Sequence, residues 1–337
     1  MKLKKEYIIL VLIIIGLSVY LYSRQTDRTL YQLPQLPQVN EKDLTRLEIT
    51  SGKTVIVLNK KDDRWFIAPA EYPADANKVR DMLNAIKNLD LTALVSESKN
   101  YNRYDLGEEQ KINVKASQGE NLKLEIDVGK TASSFRHTFV RPSGDERVFH
   151  AQGNLKNAFE VTVEALRDKT VLSLKTDEIQ QLSISKDQQS LAFTRIQVPV
   201  EVKAPDTEKD AEALPAAPKM AWQAATGQPV NESALNQLLN ALANLRCEKF
   251  IDDRKKEDFS APLFTIELKA GQDYRLSIFA KTAENDPNYP AVSSGSAYPF
   301  QLSTSQVDRI MKDPSALLQM PKTDDKKAET GKTEQKK

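Results

Sequence analysis

Residues 75–89 read DANKVRDMLNAIKNL, and residues 231–245 read NESALNQLLNALANL. At one constant offset (75 to 231) they share Leu83/Leu239, Asn84/Asn240, Ala85/Ala241, Asn88/Asn244 and Leu89/Leu245. Asp75 and Asn231 stand where a side chain caps a helix N-terminus. Behind each cap runs one apolar stripe at 3/4 spacing: Val79, Met82, Leu83, Ile86 and Leu89 in the first stretch, and Leu235, Leu238, Leu239, Leu242 and Leu245 in the second. A tryptophan precedes each helix, Trp65 and Trp222, and the chain has no others. Self-similarity at this spacing predicts an internal duplication.

The flanks repeat as well. Upstream of the first helix, residues 47–49, 55–58 and 65–67 read as three strands, split by turns at Ser51-Gly52-Lys53 and at residues 60–63 (KKDD). Residues 182–184, residues 191–193 and a strand opened by Trp222 are their counterparts. Past the helices, residues 111–116 (KINVKA) recur in 264–270 (FTIELKA), and 122–128 (LKLEIDV) in 274–279 (YRLSIF). Gly129-Lys130-Thr131 matches Ala280-Lys281-Thr282. Each half closes on a helix, over 155–168 and 305–312, and Arg167-Asp168-Lys169 aligns with Lys312-Asp313-Pro314. The expected fold class is α+β: two tandem copies of a mixed, strand-rich unit (β-β-β-α, further strands, a closing helix) over 41–175 and 176–321. Residues 198–219, rich in Ala, Pro and charge, read as a disordered insertion, and the charged residues 322–337 as a disordered tail.

The N-terminus predicts a location. Lys2, Lys4 and Lys5 precede the apolar run 7–22 (YIILVLIIIGLSVYLY). At ~1.5 Å per residue this run makes a helix of roughly 24 Å, which Tyr7, Tyr20 and Tyr22 at its ends complete in the interfacial zone. Bulky residues where a cleavage site would stand favour a transmembrane signal anchor over 1–23 rather than a removed signal peptide. The lysines favour a cytoplasmic N-terminus, which places the remainder outside the cytoplasm. Residues 24–40, with Pro34 and Pro37, read as an extended stalk. The charge balance, 48 Lys+Arg against 47 Asp+Glu, argues against a nucleic-acid partner.

With these segments, the chain resembles the bacterial domain of unknown function family 4340. The residues that carry the resemblance are the anchor, the Trp65 strand before the Asp75 helix, Tyr104-Asp105-Leu106-Gly107, residues 124–129, 137–141 and 148–149, and Leu166-Arg167-Asp168-Lys169. It covers most of residues 45–320. It implies a membrane-tethered protein of the bacterial inner membrane, often linked with gliding-motility-type ABC transport systems, and supplies no catalytic residues.

The chemical motifs point the same way. Gly129-Lys130-Thr131 ends like a phosphate loop, but Leu124 stands where its first glycine is needed. No GxGxxG, HExxH, GxSxG or CxxC occurs. His137 and His150 lack a Cys or carboxylate at ligand spacing and read as ordinary surface or half-buried residues. Cys247 reads as a half-buried thiol, Glu108-Glu109 and Asp252-Asp253 as solvated acidic pairs, and Trp65 and Trp222 as core anchors. Arg167, Asp168 and Lys169 form the one charged cluster read as a partner-docking patch. The expectation is a non-enzymatic accessory or scaffold protein of an envelope complex, without cofactor or metal, partnered by the membrane and a membrane-protein complex. A ligand-binding module for envelope glycan or peptide is the alternative.

Overall fold

A computed structural model describes residues 12–20, 31–186, 189–198 and 219–319. The chain is strand-rich with few helices, an α+β arrangement, and divides into two compact units between Asp168 and Lys169. Residues 12–20 are helical (α1), and every one of them is exposed. They are the described part of the apolar run 7–22; no described helix is long and apolar enough to cross a membrane.

The first unit is built on a nine-stranded antiparallel sheet. Its strands are β1 (Arg46–Ser51), β2 (Thr54–Lys61), β3 (Arg64–Ala68), β4 (Tyr72–Pro73), β5 (Leu91–Ser96), β6 (Ile112–Gln118), β7 (Asn121–Thr131), β8 (His137–Pro142) and β9 (Val148–Gln152), in the order β4-β3-β2-β1-β6-β7-β8-β9-β5. Period-2 alternation sends Leu47, Ile49, Ile56, Leu58, Val114, Ile126 and Val140 to one buried face. The β2–β3 hairpin turns through Asp62 and Asp63 at φ 47° and 62°, left-handed positions that the short Asp side chain tolerates.

Helix α2 (Ala76–Lys87) begins where the Asp75 carboxylate accepts bonds from the Asn77 and Lys78 amides, at 3.0 and 3.4 Å. It buries Val79, Met82 and Ile86, while Leu83 and Leu89 are only half-buried against the same core. Burying such a side chain stabilises by about 1.5–3 kcal/mol, against at most ~1 kcal/mol for an exposed ion pair, so the stripe fixes the helix. The short helices α3 (Leu155–Phe159) and α4 (Val163–Leu166) follow β9, and α2 and α3 pack together over β3, β6, β7 and β8.

The second unit opens with β10 (Thr170–Ser173), β11 (Gln181–Lys186), β12 (Gln189–Val198) and β13 (Lys219–Ala224). Helix α5 (Glu232–Ala243) and β14 (Asn244–Arg246) lead to β15 (Lys249–Phe250), β16 (Phe264–Ala270), β17 (Gln272–Ile278), β18 (Asn288–Ser293), β19 (Phe300–Ser303) and helix α6 (Thr304–Ile310). Its eight-stranded sheet runs β13-β12-β11-β16-β17-β18-β19-β15, and β10 pairs apart with β14. All five stripe leucines, Leu235, Leu238, Leu239, Leu242 and Leu245, are buried.

Several expectations change here. The division falls at Asp168/Lys169 rather than after residue 175, because β10 hydrogen-bonds to β14 and so belongs to the second unit. Residues 31–40 carry neither helix nor strand, yet Leu33, Leu36 and Val39 pack on the first core, so this part is no free spacer. At the edges of the 198–219 insertion, Val198 and Lys219 are paired strand residues. Residues 199–218, 24–30 and the tail 322–337 lie outside the described residues.

The closing alignment also shifts. In the first unit the Asp75 amide donates to the Leu166 carbonyl and the Asp168 amide to the Pro73 carbonyl, both at 2.8 Å. In the second, Asn231 donates to Leu317 and Gln319 to Pro229, both at 2.8 Å. Isolated bridges Ala74–Arg167 and Val230–Leu318 lie between these bonds. The segment bonded to the helix start is thus Leu166-Arg167-Asp168 in the first unit and Leu317-Leu318-Gln319, rather than Lys312-Asp313-Pro314, in the second.

Candidate functional site

A polar surface of the first unit lies on the sheet face opposite its helices. In β8, Thr138 and Val140 are fully buried, so alternation turns His137, Phe139 and Arg141 to the other face. Across them sits a short 3₁₀ turn, Tyr101–Tyr104. At three residues per turn its two tyrosines eclipse, and both rings land on the β8 row. The Arg141 guanidinium lies 4.4 Å over the Tyr101 ring, and Tyr104 packs 4.9 Å from Phe139. Phe139 lies opposite His150 of β9 at 4.8 Å, and His150 stacks on His137 at 5.4 Å and 25°.

Gly129 makes this packing possible. A Cβ there would stand 2.2 Å from the Tyr104 carbonyl oxygen and 2.9 Å from Leu106. The Tyr104-Asp105-Leu106-Gly107 turn thus rests directly on the β7 backbone, with Asp105 left-handed at φ 55°. Gly129-Lys130-Thr131 is strand, not a phosphate loop.

Two clefts flank the row. The first, about 460 Å³, holds Lys111, Asn113, Glu125, Asp127, Arg141 and Asp145. Asp127 is buried and fully engaged: Arg141 donates through Nε at 3.1 Å and Nη2 at 2.5 Å, Asn113 Nδ2 donates at 2.8 Å, and Lys111 Nζ lies 3.5 Å away. A buried carboxylate needs such partners to offset its desolvation. Burial opposes the charge on Arg141, but the bonds to Asp127 and Tyr101 outweigh it and raise its pKa. The Arg147 fork on Asp145 holds that carboxyl below its ordinary value. This cleft is a closed ion network.

The second cleft, about 600 Å³, is lined by Val95, Arg103, Tyr104, Lys130, Thr131, Ser133, Phe139 and His150. Among the described residues no carboxylate lines it. Lys130 is half-buried and Arg103 exposed, and neither has an ion-pair partner among the described residues. The buried Nε2 of His150 accepts and donates no hydrogen bond. Burial, then the neighbouring His137, lower the His150 pKa below the ordinary 6.5, which favours the neutral ring.

The structure thus brings His137 and His150 together, though without a third ligand; among the described residues no group of three His, Cys, Asp or Glu is placed to hold a metal. Arg167 is buried, 2% exposed, with its guanidinium 3.7 Å over the Tyr72 ring, so it is not an accessible docking anchor. Asp168 and Lys169 are half-buried, and the Lys169 ammonium donates to the Glu248 carbonyl. Cys247 is buried in the second core rather than half-buried. Glu108, Glu109, Asp252 and Asp253 are exposed, with Lys111 on Glu108 at 2.7 Å. Trp65 is buried and Trp222 half-buried; each also borders a surface cleft.

Sequence reasoning gave no site role to Asp127, Arg141, Tyr101, Tyr104 or Lys130, although Tyr104 carried the resemblance and Lys130 stood in the rejected phosphate-loop motif. The available signals were polar alternation in residues 137–142 (HTFVRP) and paired tyrosines in 101–104 (YNRY).

Neither a curated protein nor a solved structure matches the chain. A family model does, from the Trp65 strand of the first unit into the second. Over residues 65–262, more than half its length, the chain belongs to the family described as Domain of unknown function (DUF4340).

Proposed function

We propose that this chain is a non-enzymatic accessory or scaffold protein of a bacterial envelope complex of the ABC-transport type, tethered to the inner membrane with both units outside the cytoplasm. The observation that carries the proposal is the matched architecture of the units. Strand order β3-β2-β1-β6-β7-β8-β9-β5 corresponds, position for position, to β13-β12-β11-β16-β17-β18-β19-β15. The same pair of 2.8 Å backbone bonds ties helix cap to closing segment in each. We read these as two tandem copies of one α+β unit whose repeated residues serve packing, the economy expected of a scaffold. The apolar exposed helix α1, with Leu12, Ile13, Ile14 and Ile15 each more than half exposed, supports the tether, since such a face is costly in water.

The test is purification of the full chain from detergent-solubilised membranes with identification of its partners. Recovery with transporter subunits in fixed stoichiometry is the expected result; recovery of the chain alone would count against it. The ligand-binding alternative is favoured by one feature, the unneutralised cleft beside His150.

A further inference from the structure

We propose that the cleft formed by Arg103, Lys130, Thr131, Ser133, Tyr104 and Phe139 binds an acidic saccharide: a carboxylated sugar ring whose anion meets the two cations and whose face lies on the aromatic pair. This deepens the ligand-binding alternative and rests on it.

The charge pattern comes first. Lysine and arginine on this domain commonly find acids, as Lys111, Lys99 and Arg141 do. Among the described residues Lys130 does not, although it is half-buried and its strand carries Asp127 and Glu125. Those acids face the neighbouring cleft, where Lys111, Arg141, Asn113 and Lys115 already engage them. An incoming anion at Lys130 and Arg103 would therefore break no existing pair. In the neighbouring cleft it would meet Glu125, Asp127, Asp145 and Glu146.

The ring comes second. Tyr104 and Phe139 are both half-buried and pack at 47° to one another, leaving apolar ring surface in the cleft wall. Sugar C–H faces pack on such surface, while Thr131 and Ser133 hydroxyls can meet sugar hydroxyls. Thr131 is held ready by its 3.0 Å bond to Asn154. A cleft of about 600 Å³ lies in the range that accepts ligands of a few rings. His150, packed 4.8 Å from Phe139, extends the aromatic wall.

The test is calorimetric titration of the detergent-solubilised full chain with a uronic-acid tetrasaccharide, its neutral counterpart and inorganic phosphate. The tetrasaccharide is expected to bind, the neutral one to bind at least tenfold more weakly, and phosphate more weakly than the uronate. Lys130→Gln should weaken uronate binding about tenfold, with Lys130→Arg retaining most of it and an unchanged melting temperature showing that the variants fold. Phosphate binding alone, or a neutral sugar binding as well, would overturn the acidic-saccharide assignment while leaving the cleft a ligand site. No binding by any probe, or uronate binding indifferent to Lys130→Gln, would overturn both.

Discussion

The Asp75 amide donates to the Leu166 carbonyl at 2.8 Å, and the Asn231 amide donates to the Leu317 carbonyl at the same distance. Each bond joins the cap of a unit's long helix to the segment that closes the same unit. The cap residue works twice: its side chain holds the first turn, and its backbone locks the helix start to the closing strand-like bridge. Asp75→Ala removes the first of these functions and should cost about 0.5–2 kcal/mol. Denaturant unfolding in a Trp222→Phe background, where Trp65 alone reports the first unit, measures it.

The stripes should respond unequally. Leu239 is 3% exposed, whereas Leu83 is only half-buried at the equivalent step. Leu239→Ala is expected to cost ~2–5 kcal/mol, and Leu83→Ala less than half as much, because less apolar surface and a smaller cavity are at stake. Equal costs in chemical melts would show that Leu83 is better packed than the structure indicates.

Gly129→Ala tests the seat of the Tyr104 turn. The new Cβ must displace the Tyr104 backbone carbonyl oxygen 2.2 Å away and the Leu106 side chain at 2.9 Å. A loss of about 1–3 kcal/mol or more is expected, with altered near-ultraviolet dichroism from the displaced tyrosines. An unchanged melting curve would remove the turn from its place on β7.

His150 predicts a pH dependence. Its folded pKa lies below the ordinary 6.5, because burial and His137 oppose the imidazolium; Arg103 and Lys130 line the same cleft. The unfolded state therefore takes up this proton first. Stability should be unaffected by His150 above about pH 6.5, fall as pH drops from there, and level off below the folded pKa. His150→Phe should flatten that segment of the stability profile.

The two long helices were legible because helix caps and 3/4 stripes are local. Asp75, Asn231 and the ten stripe positions could be read without any long-range contact. The strands about Leu47, Val55 and Trp65 were legible for the same reason, through alternation and the 60–63 turn. The closing alignment was misplaced because it depends on which carbonyls receive two amides about ninety residues away, which no local pattern encodes. Arg167 was misread because a charged residue next to Asp168 and Lys169 looks solvated, whereas Tyr72, far off in sequence, roofs it over. The cleft residues were invisible for a related cause. Lys130 and Arg103 are ordinary in their own segments and come to line one cleft only when the 3₁₀ turn and the sheet meet across Gly129.

The most direct measurement for the account as a whole is topology. A periplasmically active phosphatase and a cytoplasmically fluorescent protein, each fused after Gln319 of the full chain, report the side on which both units lie. The account predicts an active phosphatase, a dark fluorescent fusion, and release of the chain from the membrane fraction when residues 1–23 are removed. A fluorescent fusion with an inactive phosphatase, or membrane retention unchanged by that removal, would contradict it.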